Sequence, residues 1–141
     1  MKIEELYGKD YTFVDVRSPK EFEEDRIPGA INIPLFSNEE RAIIGTLYKQ
    51  VGKDVAIEKG LEIVSEKLPK MIADYKKIQG KICIYCWRGG MRSGSVVALL
   101  QSLKFDVVQL DKGYKDYRRF VREKLDSLEL HHLLFCTDSQ E

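Results

Sequence analysis

The chain has 141 residues, of which 43% are hydrophobic and 33% are charged. At about 100–200 residues per domain, this length predicts a single domain that is large enough to bury a core. Its 23 lysines and arginines balance 23 aspartates and glutamates, which excludes a strongly basic polyanion-binding protein and is atypical of a disordered chain.

The first half of the chain predicts short strands and longer helices. Ser18 followed by Pro19 and several acidic residues is typical of a helix N-terminus. The β-branched and aromatic residues before it are typical of a buried strand. The predicted strands cover residues 11–16 and 30–34, and the predicted helices cover residues 19–25, 38–51 and 57–75.

The second half continues the alternation of strands and helices. Strands are predicted at 81–85 and 105–110, and helices from Ser93 or Gly94 to Leu103 and from Tyr114 to Leu128. Strands that alternate with helices predict an α/β fold with a central parallel sheet, flanked by helices on both faces. Reactive groups in such folds collect at the carboxyl ends of the strands.

Three features of the sequence bear on the compartment in which the protein acts. The longest apolar run is residues 82–87, which is too short to span a membrane, and the start of the chain lacks the apolar segment of a signal peptide. The three cysteines cannot all pair, so we expect a reducing compartment, the cytoplasm, rather than a disulfide framework.

A loop rich in glycine and arginine connects the predicted strand 81–85 to the helix that follows it. The loop reads Cys86, Trp87, Arg88, Gly89, Gly90, Met91, Arg92 and Ser93. A helix N-terminus, successive backbone amides and two guanidinium groups all favour an anion at this place. A structural core cysteine has no need of such surroundings, so we expect Cys86 to be a nucleophile.

The other two cysteines are not expected to take part. Cys83 and Cys86 have the two-residue spacing of redox and zinc motifs, but residues three apart on a strand project to opposite faces. We therefore predict that Cys83 is a core residue, that Cys136 is a bystander, and that the chain has no metal site. No partner was identified for His131 or His132.

Four segments of the sequence resemble the rhodanese domain family. They are residues 13–18 with Glu21 and Phe22, residues 27–34, the strand, cysteine loop and helix around Cys86, and the closing segment 110–114. The resemblance covers nearly the whole chain. It implies a rhodanese-like α/β fold in which Cys86 carries a persulfide.

A narrower resemblance is to the N-terminal rhodanese domain of the tRNA 2-selenouridine synthases. It rests on residues 86–93, on residues 40–42 with 45–50, and on residues 113–115 with 117–120. This resemblance implies exchange of sulfur for selenium at a 2-thiouridine in the tRNA wobble position, with selenophosphate as the donor and a geranylated thiouridine as intermediate. It also implies that Cys86 is essential for the selenation step and that tRNA is the partner.

Those synthases continue into a second domain with a phosphate-binding loop (P-loop), and no Gly-x-x-x-x-Gly-Lys-Ser/Thr motif occurs in these 141 residues. We expect a rhodanese-like domain over 1–128. Residues 129–141 form a tail that resembles the strand leading into the missing P-loop. We interpret the absence of the motif in one of two ways. The chain is either one half of a split enzyme whose P-loop half is a separate chain, or a remnant of such an enzyme.

Alternative functions follow from the same loop. Five residues separate Cys86 from Arg92, which is the spacing of cysteine-dependent phosphatases, in which the arginine clamps a phosphate dianion. Tyr85 stands where those enzymes usually have a histidine, and no aspartate near the loop is an evident general acid. A general thiosulfate or persulfide sulfurtransferase is the other catalytic alternative, and a non-catalytic binding module is the third.

The charge of the chain is unevenly distributed. Residues 1–70 contain 11 basic and 14 acidic side chains, whereas residues 71–141 contain 12 and 9. Much of the basic excess lies on the predicted helix that starts at Tyr114. Four of its cations are candidate tRNA contacts, and they are Lys115, Arg118, Arg119 and Arg122.

We expect each residue of the loop to have its own role, and Cys86 to be the acceptor of selenium or sulfur. The loop amides stabilise the resulting anion, Arg88 and Arg92 hold the thiolate or the donor's phosphate, and Trp87 positions the substrate base. Asp15 and Arg17 are expected to brace the fold beside the site. No metal or organic cofactor is implied.

Overall fold

Four parallel strands form the centre of the domain. The computed structural model describes the backbone of residues 1–139 and the side chains of residues 1–128. The strands are β1 (Tyr11–Asp15), β2 (Ile31–Asn32), β3 (Lys81–Tyr85) and β4 (Val107–Gln109). The helices are α1 (Ile3–Leu6), α2 (Pro19–Glu24), α3 (Asn38–Gln50), α4 (Lys53–Lys76), α5 (Met91–Ser102) and α6 (Gly113–Ser139).

The strand order is β2-β1-β3-β4, and every neighbouring pair is parallel. Phe13 pairs with Cys83, which in turn pairs with Val108. All four carboxyl ends therefore lie at one edge, so the loops that follow β1, β3 and β4 meet there.

Alternation along β3 divides the core into two clusters, one on each face of the sheet. Ile82 and Ile84 pack with residues of α4 and α5, including Met71 and Leu100. Cys83 and Tyr85 pack on the other face with residues of α1 and α6, which are Ile3, Leu6, Tyr114 and Phe120. The predicted α/β fold with helices on both faces of a parallel sheet is confirmed.

Local signals place the starts of two helices. The Ser18 and Glu21 side chains form a capping box at the start of α2, with Pro19 in the first turn, as predicted. Ser37 caps α3, and its hydroxyl accepts a hydrogen bond from the Glu40 amide. These caps satisfy amides that have no partner inside the helix.

Several boundaries differ from the sequence-based predictions. Helix α1 was not predicted, because four residues are too short for a periodic pattern, yet its Ile3 and Leu6 are fully buried. Helix α4 starts at Lys53 and continues through Pro69, and α5 starts at Met91, two residues before Ser93.

The C-terminal segment also differs from expectation. Helix α6 continues to Ser139. The backbone of residues 129–139 is therefore helical, and the prediction of a strand in this tail is wrong. The helical spacing of Tyr114, Tyr117, Val121, Leu125 and Leu128 predicts one apolar face for this helix. Leu125 and Leu128 of that face are exposed. The side chains of His131, His132 and Cys136, together with residues 140 and 141, lie outside the described part. Among residues 1–139 no helix has the length and hydropathy needed to cross a membrane.

Candidate active site around Cys86

Cys86 is the first residue after β3, and it packs on the same face as Ile84, opposite Cys83. The opposite placement of the two cysteines agrees with the sequence-based prediction. Burial raises the pKa of the Cys83 thiol to about 12. Cys83 therefore stays a protonated core residue at neutral pH.

The Cys86 sulfur has a hydroxyl partner. Its Sγ lies 3.0 Å from Ser93 Oγ in the first turn of α5. Gln109 Nε2 donates to the same hydroxyl oxygen at 2.9 Å. This bond uses an acceptor position of Ser93, so the hydroxyl hydrogen is available to donate to a Cys86 thiolate.

Gln109 was missed by the sequence reasoning. It ends β4, the strand beside β3, and its Nε2 also lies 2.9 Å from the Gly89 carbonyl and 3.3 Å from the Gly90 carbonyl. The one sequence feature that points to Gln109 is its polar side chain near the carboxyl end of the predicted strand 105–110. The position of that strand next to β3 was not readable from the sequence.

The loop carbonyls are engaged, whereas its amides are not. The amides of Tyr114 and Lys115 donate to the carbonyls of Cys86 and Trp87 at 2.9 and 3.0 Å. By contrast, the backbone N–H groups from Trp87 to Ser93 donate no hydrogen bond to any residue in the described part of the chain. A row of unpaired amides at a helix N-terminus is suited to an anion.

One glycine of the loop and one of the turn before α6 make this packing possible. Gly89 has φ +72°, and a Cβ there would lie 2.8 Å from the Lys112 nitrogen. Gly113 has φ +61°, and a Cβ there would lie 2.7 Å from the Trp87 carbonyl. Both positions therefore require glycine, for backbone conformation and for space.

Two arginines share one carboxylate beside this loop. Arg92 Nη1 donates to Glu21 Oε1 at 2.9 Å, and Arg41 Nε lies 3.8 Å from the same oxygen. Burial alone would raise the pKa of Glu21, but the hydrogen bonds and charge of Arg92 and Ser18 outweigh it and hold the pKa below its ordinary value. Glu21 is therefore a carboxylate at neutral pH.

Arg41 was quoted in the family resemblance but was not singled out as a site residue. Burial and the like charge of Arg92 lower its pKa, while the charges of Glu21 and Cys86 oppose that shift. Arg41 therefore lies beside Arg92, at the Glu21 carboxylate that both arginines face. Arg88, which was singled out, is exposed on the loop.

Asp15 and Arg17 form a buried pair at the end of β1. Arg17 Nε and Nη2 contact both carboxylate oxygens of Asp15 at 2.8–3.1 Å. The Arg17 guanidinium also lies 4.7 Å from the centre of the Tyr114 ring. The pair thereby connects β1 to the first turn of α6, and among the described residues neither member has a hydrogen bond or ion pair with Cys86.

Trp87 belongs to an aromatic cluster that borders the loop. Its ring centre lies 5.9 Å from that of Tyr114, which lies 5.8 Å from that of Tyr117. Tyr114 is buried, whereas Trp87 is partly exposed. Trp87 packs against the cluster on the Tyr85 face of the sheet, whereas Cys86 belongs to the cluster on the opposite face. The partly exposed Trp87 ring is suited to stacking on a planar base.

The four candidate tRNA contacts on α6 have different surroundings. Arg119 is engaged by the carboxylates of Glu4, Asp116 and Glu123, each at 2.7 Å. Arg118 Nε lies 4.0 Å from a carboxylate oxygen of Asp25. Lys115 and Arg122 are exposed, and neither has an ion pair with a residue in the described part. In the same part, no cluster of three or more His, Cys, Asp or Glu side chains is suited to a metal ion.

Comparison with known proteins assigns the family. The sequence model of the rhodanese-like domain matches residues 3–120. The tRNA 2-selenouridine synthase of Nitrosomonas europaea is 35% identical over 133 residues, and that of Proteus mirabilis is 37% identical over 132 residues. The matches cover 92% and 89% of this chain, but only 34% and 36% of those proteins. The chain thus spans about a third of the length of these relatives.

Solved structures agree with this assignment. The crystal structure of the N-terminal domain of a Clostridium difficile 630 protein described as ATP/GTP-binding has 51% identity and a TM-score of 0.81. That match covers 86% of this chain and 97% of the solved chain. A rhodanese-related protein of Thermoplasma volcanium shares the fold, at 23% identity and a TM-score of 0.52, with coverages of 84% and 89%. The match of the rhodanese-like sequence model to residues 3–120 shows that the chain belongs to the rhodanese-like domain family.

Proposed function

We propose that this domain transfers sulfur or selenium with Cys86 as the nucleophile, as the rhodanese part of a tRNA 2-selenouridine synthase. The substrate is the 2-thiouridine at the tRNA wobble position, and the reaction takes place in the cytoplasm. The observation that carries the proposal is the position of Cys86 Sγ, 3.0 Å from Ser93 Oγ and at the base of a loop whose amides are unpaired.

The chemistry with a sulfane-sulfur donor such as thiosulfate balances without a cofactor. The Cys86 thiolate attacks the terminal sulfur, a sulfur–sulfur bond forms, and the bond to the sulfite group breaks. The electron pair of that bond leaves with sulfite. Cys86 then carries a persulfide anion, which the unpaired loop amides stabilise.

Assignment to the tRNA enzyme is supported by relatives of that name at 34–37% identity. These relatives are about three times as long as the matched region. We therefore propose that the complete reaction needs a P-loop domain in addition to these 141 residues, on a separate chain or on the same polypeptide.

The proposed tRNA surface is the exposed side of α6. Lys115, Arg118 and Arg122 are available to bind phosphates there. Lys115 follows Tyr114 at the start of the helix, so this surface begins next to the loop. Arg119 is a weaker candidate than the sequence indicated, because three carboxylates already surround it.

The test is intact-mass spectrometry after incubation with thiosulfate, on the wild-type chain and on Cys86→Ser. The expected result is a gain of one sulfur atom in the wild type and no gain in the variant. A wild-type chain that gains no sulfur, or a variant that gains as much, contradicts Cys86 as the carrier.

A second measurement, tRNA binding, distinguishes the tRNA enzyme from a general sulfurtransferase as the function of this domain. Wobble-thiolated tRNA should bind the domain, with an affinity that falls as salt rises. Sulfur loading of Cys86 without any tRNA binding would leave a general thiosulfate or persulfide sulfurtransferase as the function.

A further inference from the structure

We propose that Cys86 attacks the phosphorus atom of a selenophosphate or thiophosphate donor, rather than its selenium or sulfur atom. The products are a phosphocysteine and a free hydroselenide or hydrosulfide. This inference rests on the proposed function, and it assigns a phosphoryl-transfer step to the same site.

The electron balance of the donor favours attack on phosphorus. If the thiolate attacked selenium, the electron pair of the phosphorus–selenium bond would remain on phosphorus and phosphite would leave. Attack on phosphorus forms a sulfur–phosphorus bond and sends that electron pair to selenium. Phosphorus keeps its oxidation state, and water then breaks the sulfur–phosphorus bond to release phosphate and the Cys86 thiolate.

The loop has the size and the donors to hold a tetrahedral phosphate. Five residues lie between Cys86 and Arg92, and the amides from Trp87 to Ser93 are unpaired in the described structure. Such amides can bind the equatorial oxygens of a phosphoryl group while the thiolate approaches in line.

Arg41 adds a third guanidinium to those of Arg88 and Arg92. Glu21 is shared between Arg41 and Arg92, so one carboxylate faces two cations. Glu40, the neighbour of Arg41, is engaged by Lys67 and Ser37 and does not neutralise it. The Arg41 guanidinium makes no hydrogen bond to a described residue, since its nearest carboxylate oxygen, that of Glu21, lies 3.8 Å away. Its donors are therefore free for phosphate oxygens.

The carboxyl groups near the loop explain why a chalcogen would be the leaving group. A phosphatase that expels an alkoxide needs a general acid. Here Glu21 is held as a carboxylate by Arg92, Asp15 is paired with Arg17, and Asp25 accepts a hydrogen bond from the Tyr114 hydroxyl. A donor that enters as the hydrogen selenophosphate or hydrogen thiophosphate dianion brings the proton of the leaving group with it. Hydroselenide or hydrosulfide, each a weak base, then leaves without a general acid from the protein.

Ser93 fits the second half of the cycle. Hydrolysis of a phosphocysteine expels the Cys86 thiolate, and a hydroxyl donor at 3.0 Å stabilises that leaving group. Gln109 holds the hydroxyl in place for this bond. We therefore expect Ser93→Ala to slow the breakdown of the phosphocysteine more than its formation.

Monothiophosphate is the probe, because a selenium atom and a phosphoryl group have nearly the same mass whereas a sulfur atom differs clearly from both. The expected result in wild type is sulfide release and an acid-quenched adduct with the mass of one phosphoryl group on Cys86. The adduct should accumulate in Ser93→Ala and be absent in Cys86→Ser, which should release no sulfide.

Arg41→Gln should slow sulfide release at least about tenfold, and Lys49→Gln is its matched control. Both substitutions remove one positive charge from α3, but Lys49 is exposed in the last turn of that helix. Equal rates of sulfide release from the two variants would show that Arg41 does not bind the phosphoryl group.

The outcomes separate this proposal from the proposed function. An adduct of one sulfur atom from monothiophosphate, or no adduct in Ser93→Ala, would overturn attack on phosphorus. Loading of Cys86 by thiosulfate would still stand in that case. Failure of Cys86 to react with either donor would overturn both.

Discussion

The amide nitrogen of Tyr114 donates a hydrogen bond to the carbonyl oxygen of Cys86 across 2.9 Å. This bond ties the first turn of α6 to the candidate nucleophile. The approach depends on Gly113, because any Cβ at that position would collide with the carbonyls of Cys86 and Trp87. We predict that Gly113→Ala lowers the free energy of unfolding by about 2–4 kcal/mol, through positive φ and the collision together.

Gly80→Ala is the control for this prediction, measured alongside it by urea denaturation. Gly80 also has positive φ, +83°, but a Cβ there meets nothing within 4 Å. Its expected cost is the backbone strain alone, about 1 kcal/mol. Equal costs for the two variants would show that the contact with the Cys86 loop does not constrain residue 113.

Glu21 should make stability depend on pH in the acidic range. Its pKa in the folded protein lies below the ordinary value because of Arg92 and Ser18. Its stabilising contribution is therefore present above the unfolded pKa of about 4.3, and is lost as pH falls through the lower folded pKa. We expect Glu21→Gln to be less stable than wild type at neutral pH by about 0.5–1 kcal/mol, since the pair is partly exposed.

The measurement is urea denaturation of wild type and Glu21→Gln from neutral pH downward, with Glu24→Gln as the control. Glu24 is an exposed glutamate of the same helix. The difference between wild type and Glu21→Gln should shrink at acidic pH, whereas Glu24→Gln should follow wild type throughout. A difference that stays constant with pH would contradict the ion pair as its source.

Alkylation should show the preference of the loop for anions. We predict that negatively charged iodoacetate modifies Cys86 faster than neutral iodoacetamide by about tenfold, or about 1.4 kcal/mol, relative to a free thiol. The unpaired amides and the excess guanidinium charge supply the physical reason. Inorganic phosphate should slow the reaction by competing for the same donors.

The rates are followed by peptide mapping in a Cys136→Ser background. Cys83 should remain unmodified until the protein unfolds, because it is buried and its pKa is about 12. Arg41→Gln should reduce the preference for iodoacetate, and Lys49→Gln should not. A preference equal to that of a free thiol would be evidence against an anion-binding loop.

The arginines of α6 should contribute unequally to tRNA binding. Arg122 is exposed and has no ion pair among the described residues, so Arg122→Gln should weaken binding and lower the salt slope by about 1. Arg119 is surrounded by three carboxylates, so Arg119→Gln should change the slope less. Titration of labelled tRNA at several salt concentrations measures both slopes, and a larger loss for Arg119→Gln than for Arg122→Gln would reverse this ranking.

Much of the fold was predictable because its signals are local. The Ser18–Pro19 pair specified the start of α2, and the apolar run before Cys86 specified β3. The alternation of strands and helices then predicted the parallel sheet. Helix α1 and the helical tail were missed, because a single turn has no period and the tail has the apolar pattern of a strand.

The candidate nucleophile and its loop were also local, since Cys86 to Ser93 are consecutive residues. A thiol, two glycines and two arginines between a strand and a helix indicate an anion-binding loop from the sequence alone, without knowledge of the fold. In contrast, the partners of that loop come from distant segments. Glu21 and Arg92 are 71 residues apart, and Gln109 reaches Ser93 from a neighbouring strand.

The sequence by itself therefore determined most of the strands and helices and pointed to Cys86 as the candidate nucleophile, because caps, periodicity and loop chemistry involve neighbours along the chain. Only the tertiary structure decided that Arg41 and Arg92 share the Glu21 carboxylate, that Gln109 donates to Ser93, and that Arg119 is engaged by carboxylates. The physical reason is the parallel sheet, which brings the ends of separate strands to one edge. Which side chains meet at that edge depends on strand order, and no local pattern encodes that order.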